Sequence, residues 1–104
     1  MRVWRKLVRD RIPDILRGQG KPCEVRTLGP GEYHAALLAK LEEEALEARE
    51  SGGSLEELAD VLEVLRALLA ARGVAWEDLE RARQRKRASR GGFEARVWLE
   101  RGEE

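Results

Sequence analysis

At 104 residues the chain is long enough for one domain with a modest core, a size at which dimerisation is a common way to bury more apolar surface. Lys plus Arg and Asp plus Glu both number 20, so no net charge argues for nucleic acid or for an anionic membrane. There is no apolar run near about 18 residues and no signal-peptide core after Met1, which leads to the expectation of a cytoplasmic protein. Cys23, the single cysteine, excludes an internal disulfide and a cysteine-based metal site.

Four helices are predicted, in chain order. "IPDILRGQG" is short, with Pro13 at an early helical position and Gly18 as a stop. "GPGEYHAALLAKLEEEALEARE" is the longest, entered at Pro30 and ended by Gly52 and Gly53. "SLEELADVLEVLRALLAARG" follows, capped by Ser54 and closed by Gly73. "WEDLERARQRKRAS" is charged and stopped by Gly91 and Gly92. After it "FEARVWL" alternates as a strand would, and "CEVRTL" ahead of the long helix could pair with it. The expectation is one all-α, mainly helical domain over residues 1–104, with at most a small C-terminal β ribbon.

The acids of "KLEEEALEARESGGSLEELADVLEVL" fall in unusual places. At about 100° per residue, Leu37, Leu41 and Ala48 lie within roughly 40° of one another, and Glu44 falls inside that arc. Glu47 and then Glu43 fan out along one edge, while Glu42 points to solvent. On the next helix Leu58, Leu62, Leu65 and Leu69 are expected to define the apolar centre, with Glu57 roughly 100° off it between Val64 and Leu68, Asp60 at the margin beside Val64, and Glu56 and Glu63 facing water. The short "ESGGS" link makes the two helices antiparallel neighbours, which sets Glu47 level with Glu57 and Glu44 level with Asp60. Four anions in an apolar seam would be very costly, and a hard divalent cation resolves the cost. Magnesium takes oxygen ligands, commonly carboxylates together with waters and substrate phosphates.

Blander readings compete. A Glu-rich helix is usually a solvated face, and Glu57 could complete an S-x-x-E capping box with Ser54. A buried ion-pair network using Arg66 or Arg72 is another account. An iron–carboxylate bundle would want Glu-x-x-His motifs, and the lone His34 is not so placed.

At these residues the sequence resembles the MazG-like, all-α nucleoside triphosphate pyrophosphohydrolases. "EEALE" followed ten residues later by "ELAD" matches their EExxE…ExxD signature, and "KLVRDRIP" and "RQRKRASRGGFEAR" resemble the phosphoribosyl-ATP pyrophosphohydrolase-like branch. The likeness runs from Trp4 to Leu99. It implies an antiparallel bundle of about four helices, a dimer or higher oligomer, and hydrolysis of the α–β phosphate bond of a nucleotide to a monophosphate and pyrophosphate, in nucleotide-pool house-cleaning. It also implies Glu44, Glu47, Glu57 and Asp60 as ligands of magnesium, with manganese as a substitute, and Glu43 as the residue that orients or deprotonates the attacking water. The family often has a downstream Asn; this chain contains no Asn.

Pyrophosphate as a leaving group needs cations from the protein. Candidates are Lys6, Arg9 and Arg11 of the first motif, Lys40 beside Glu47, and Lys86 and Arg90, which share a face of the fourth helix. Trp4 and Phe93 flank the two basic motifs and are candidates for stacking on a base. The competing class is a non-catalytic helical dimer that binds a partner protein or nucleic acid, with "RARQRKRASR" as a solvated or weakly nucleic-acid-binding face.

Overall fold

A computed structural model describes residues 5–103. The chain divides into two units, Met1–Gly73 and Val74–Glu104. The first holds α1 (Ile12–Gly18), α2 (Pro30–Glu50) and α3 (Leu55–Ala71); the second holds α4 (Trp76–Arg90). No described helix is long and apolar enough to cross a membrane.

Each helix starts and stops for local reasons. Proline occupies the first turn of α1 and of α2, where its missing N–H costs nothing. Between α2 and α3 the chain reverses through Gly52 and Gly53, at φ of 71° and 79°, a region that residues with a Cβ rarely enter. The Gly53 N–H reaches back to the Ala48 carbonyl at 2.7 Å, closing the end of α2. Ser54 then caps α3, its hydroxyl accepting from the Glu57 N–H at 3.3 Å.

The hairpin of α2 on α3 is the centre of the first unit. Its buried apolar residues are Leu37, Ala48 and Val64, and Glu44 lies among them with 7% of its surface exposed. The face of α3 that is buried differs from the one its leucines suggest. Leu55, Leu58 and Leu62 are exposed at 84%, 49% and 47%, while Leu65 and Leu69 are half-buried. Val64 is about 200° around the helix from Leu62, and Glu57, Asp60 and Ala67 share its side. The apolar centre assigned to Leu58 and Leu62 is therefore corrected: α3 is apolar on two faces, and the one pressed against α2 is the less leucine-rich.

Neither strand candidate forms a strand among the described residues. Residues 23–28 run without a ladder partner, and 93–96 form a turn closed by the Arg96 N–H on the Phe93 carbonyl at 3.0 Å. Two short segments make a ribbon of marginal stability in water unless a further layer covers them. Phe93, Val97, Trp98 and Leu99 are exposed at 97%, 84%, 82% and 72%, so no such layer is present and the expected ribbon is absent.

Candidate functional site

One stripe of α2 builds one wall of the site. Tyr33, Leu37, Lys40, Glu44 and Ala48 follow one another at three- and four-residue spacing and so share a face. Opposite it, Glu57, Asp60 and Val64 do the same on α3. Carboxylate oxygens of Glu44, Glu57 and Asp60 all come within 4.8 Å of one another. That separation suits three anions sharing one cation better than three anions left alone.

Two oxygens make the arrangement more pointed. Glu44 Oε2 and Glu57 Oε2 are buried, and as carboxylate oxygens they receive no hydrogen bond from a donor. An unpaired buried carboxylate oxygen is expensive, and its usual remedies are a proton, a donor or a metal ion. The capping-box account of Glu57 is not realised in full. The Ser54 N–H, which a box glutamate would satisfy, donates instead to Ser51 Oγ at 3.1 Å. Only the serine half of the box forms, and the Glu57 carboxylate is left among the other acids.

The electrostatics follow from this crowding. Burial, then the charges of Asp60 and Glu44, push the Glu57 carboxyl above the ordinary carboxylate range. Glu47 is not one of the three converging acids but stands next to them. Hydrogen bonding to the Glu44 carboxyl, followed by that group's charge, pushes Glu47 up as well, with smaller contributions from burial, Glu57 and Glu43.

Cations face the acids from two places. Lys40 lies 3.3 Å from Glu44 Oε1 and 3.4 Å from Glu43 Oε2. From the irregular segment before α1, Arg9 reaches Asp60 Oδ1 at 2.6 Å, and Lys6 approaches Glu43 Oε1 at 3.9 Å. Half-buried Glu43 is thus held between two lysines. Alongside lies a cleft of about 450 Å³, within the usual range for small-ligand sites. Arg9, Arg11, Lys40, Glu44 and Asp60 line it, together with an apolar wall that includes Leu7, Leu37 and Tyr33.

Of the residues singled out from sequence, Lys6, Arg9, Arg11, Lys40, Glu43, Glu44, Glu47, Glu57 and Asp60 belong to this one region of the first unit. Trp4 lies outside the described residues. Lys86, Arg90 and Phe93 belong to the second unit, where all three are exposed. Tyr33 and Glu63 also line the cleft and were not among the candidates. Tyr33 stands four residues before Leu37 on the stripe that carries Glu44, a signal the sequence offers; Glu63 is exposed, as its place on the helix predicts, and borders the cleft from its solvent side.

No family model and no solved structure matches the chain. Over 44 residues it is 54% identical to an uncharacterised protein of Mycolicibacterium smegmatis (strain ATCC 700084 / mc(2)155), a match spanning 42% of this chain and 45% of that one.

Proposed function

We propose that the protein is a magnesium-dependent nucleotide pyrophosphohydrolase of the MazG-like all-α class. The observation that carries this reading is the convergence of Glu44, Glu57 and Asp60 from two facing helices, with two buried oxygens lacking a donor, beside a cleft lined by Arg9, Arg11 and Lys40. The donor set is all oxygen and contains no sulfur or imidazole, which suits magnesium or manganese over softer ions.

When bound, the metal ion supplies Lewis-acid polarisation of a phosphoryl oxygen. The chain's own residues do the rest. Glu44, Glu57 and Asp60 would hold the ion, and Glu47 completes the acidic wall next to Glu44. Glu43, positioned by Lys6 and Lys40, orients the attacking water and takes its proton. Arg9, Arg11 and Lys40 carry positive charge to the side of the cleft where negative charge grows on the departing pyrophosphate. The apolar wall, with Tyr33, receives the nucleoside end.

The working form is a dimer or higher oligomer in this reading. Only Leu37, Ala48 and Val64 are buried apolar residues among those described, a small core for a chain of this length. Leu38 and Leu46 on α2 and Leu55, Leu58 and Leu62 on α3 remain exposed, leaving apolar helix surface for a second copy. The exposed segment of Phe93, Val97, Trp98 and Leu99 favours a second reading, a non-catalytic module that binds a partner. A panel of nucleoside triphosphates decides between them. Pyrophosphate release that requires magnesium and is lost in Glu44→Gln supports the hydrolase; no release from any member of the panel removes it.

A further inference from the structure

We propose that Lys40 and Arg9 serve as internal counter-ions of the acid cluster, yield it to an incoming metal ion, and then grip the substrate's polyphosphate. This inference rests on the pyrophosphohydrolase reading and adds an order of events to it. Two of the three converging carboxylates already hold a cation: Glu44 through Lys40 at 3.3 Å and Asp60 through Arg9 at 2.6 Å. The carboxylates that would bind a metal therefore also hold the cations that would bind a phosphate. A divalent ion shared by three carboxylates satisfies them at higher charge density than two separate monovalent pairs, so it takes their place.

The displaced groups have somewhere to go. Both Lys40 and Arg9 line the cleft, so neither must leave it to meet a ligand there. Arg9 is 58% exposed on a segment outside any helix, and its planar fork matches a phosphate edge. Lys40 is only 17% exposed and keeps its second partner, Glu43, at 3.4 Å, so it needs no more than a small rotation. Before the metal arrives, the acids occupy both cations and repel polyphosphate from the cleft. Afterwards the acids are neutralised and the cations released, so metal binding precedes and promotes phosphate binding.

A residue that competes with one ligand and attracts the other must affect the two with opposite sign. Titration calorimetry on the full chain reads this directly, first with Mn2+ alone and then with inorganic pyrophosphate at saturating Mn2+. Lys40→Gln should tighten Mn2+ about fivefold, through loss of the competing ion pair to Glu44, and weaken pyrophosphate about tenfold. Arg9→Gln should shift both in the same crossed manner by smaller factors, and it keeps the test available if Lys40→Gln fails to fold. Lys40→Arg, which retains the charge, should stay within about twofold of wild type for both ligands. Unchanged or weaker Mn2+ binding in both glutamine variants would overturn the proposal, as would a wild-type protein that binds no Mn2+. Both measurements are of binding, so the two readings can fail separately. Loss of the crossed pattern with magnesium-dependent turnover intact overturns the handover alone, whereas a crossed pattern without nucleotide hydrolysis overturns the hydrolase reading alone.

Discussion

On α3 the face turned to α2 carries Glu57, Asp60, Val64 and Ala67, whereas the face roughly opposite carries Leu55, Leu58 and Leu62, left open to solvent. Apolar area alone would press the leucines against α2 and put the acids outside, since each fully buried leucine stabilises by about 1.5–3 kcal/mol and each buried unpaired carboxylate costs more than that. The helix does the reverse. The difference makes sense if each face is completed by something beyond the single chain, the inner by a cation and the outer by another apolar surface. Removing either completing element should expose which face carries function and which carries assembly.

The largest effect should come from the inner face. Glu57→Gln removes an anionic donor while keeping shape, so turnover of a nucleotide substrate should fall by about two to four orders of magnitude. The metal-free protein should be as stable as wild type or more so, because repulsion from Asp60 and Glu44 is relieved. Steady-state kinetics beside metal-free thermal melts check both halves. A variant with near-normal turnover takes Glu57 out of the site.

The outer face should answer differently. Leu62→Glu places a charge in the middle of the exposed leucines, and sedimentation velocity should show the oligomer shifting to monomer at micromolar concentration. Helix content should persist, since Leu62 makes little of the α2 contact. Leu37→Ala, at a residue 3% exposed, is the contrasting change: it should lower stability by about 2–5 kcal/mol through cavity formation. A Leu62→Glu protein that stays assembled refutes the role given to that face.

The two faces were not equally legible in the sequence. Helix limits were, because Pro13, Pro30, Ser54, Gly52 and Gly53 are local signals acting on their own backbone. Glu44 inside an apolar arc was legible too, since it breaks a period that its neighbours keep. What misled was composition: a leucine stripe outweighs one of Val64, Ala67 and two acids in any hydropathy pattern, although α2 packs on the latter. The alternation in 93–99 likewise reads as a strand, but a strand needs a neighbour, and pairing is not a property of the segment itself. The cleft-lining role of Tyr33 lay on a stripe already in view; Arg9 stood out through the "KLVRDRIP" motif, but its pairing with Asp60 spans 51 residues, which no local pattern encodes.

A smaller effect should appear as pH dependence, and it too belongs to the inner face. Glu47 and Glu57 bind protons more tightly in the folded protein than in the unfolded chain. Their contribution is thus fully present below the ordinary carboxyl pKa and is lost as pH rises through the raised folded values. Glu32 and Glu80 act oppositely, held below the ordinary range by hydrogen bonds from Arg26 and Arg83, so the raw profile mixes both signs. The metal isolates the acid cluster. The gain in melting temperature on adding Mg2+ should grow from about pH 4 to pH 7, as the carboxylates ionise and the cation offsets their repulsion. Differential scanning fluorimetry with and without chelator reads it, and a gain that is flat across this range would detach the cation from these acids.

The smallest effect should come from the cap that starts α3. Ser54 Oγ accepts the Glu57 N–H at 3.3 Å, so Ser54→Ala leaves that donor to water and should lower stability by about 1 kcal/mol. The same residue separates the backbone of Glu57 from its carboxylate. The serine holds the N–H, while the side chain lies with Glu44 and Asp60 and plays no part in the cap, the Ser54 N–H being satisfied by Ser51 Oγ. Loss of the cap frays the first turn only as far as packing against α2 allows, and a cation shared with Glu44 and Asp60 would keep Glu57 in place. Turnover of Ser54→Ala at saturating Mg2+ should then remain within about twofold of wild type, while its metal-free melting temperature falls. Ser54→Asp makes the comparison sharper. It restores a capping acceptor and should recover stability, yet it adds a further negative charge one turn from Glu57 and should make the apparent stability depend more steeply on Mg2+. Recovery of stability with no change in that dependence would show that the cap and the acid cluster are electrostatically independent.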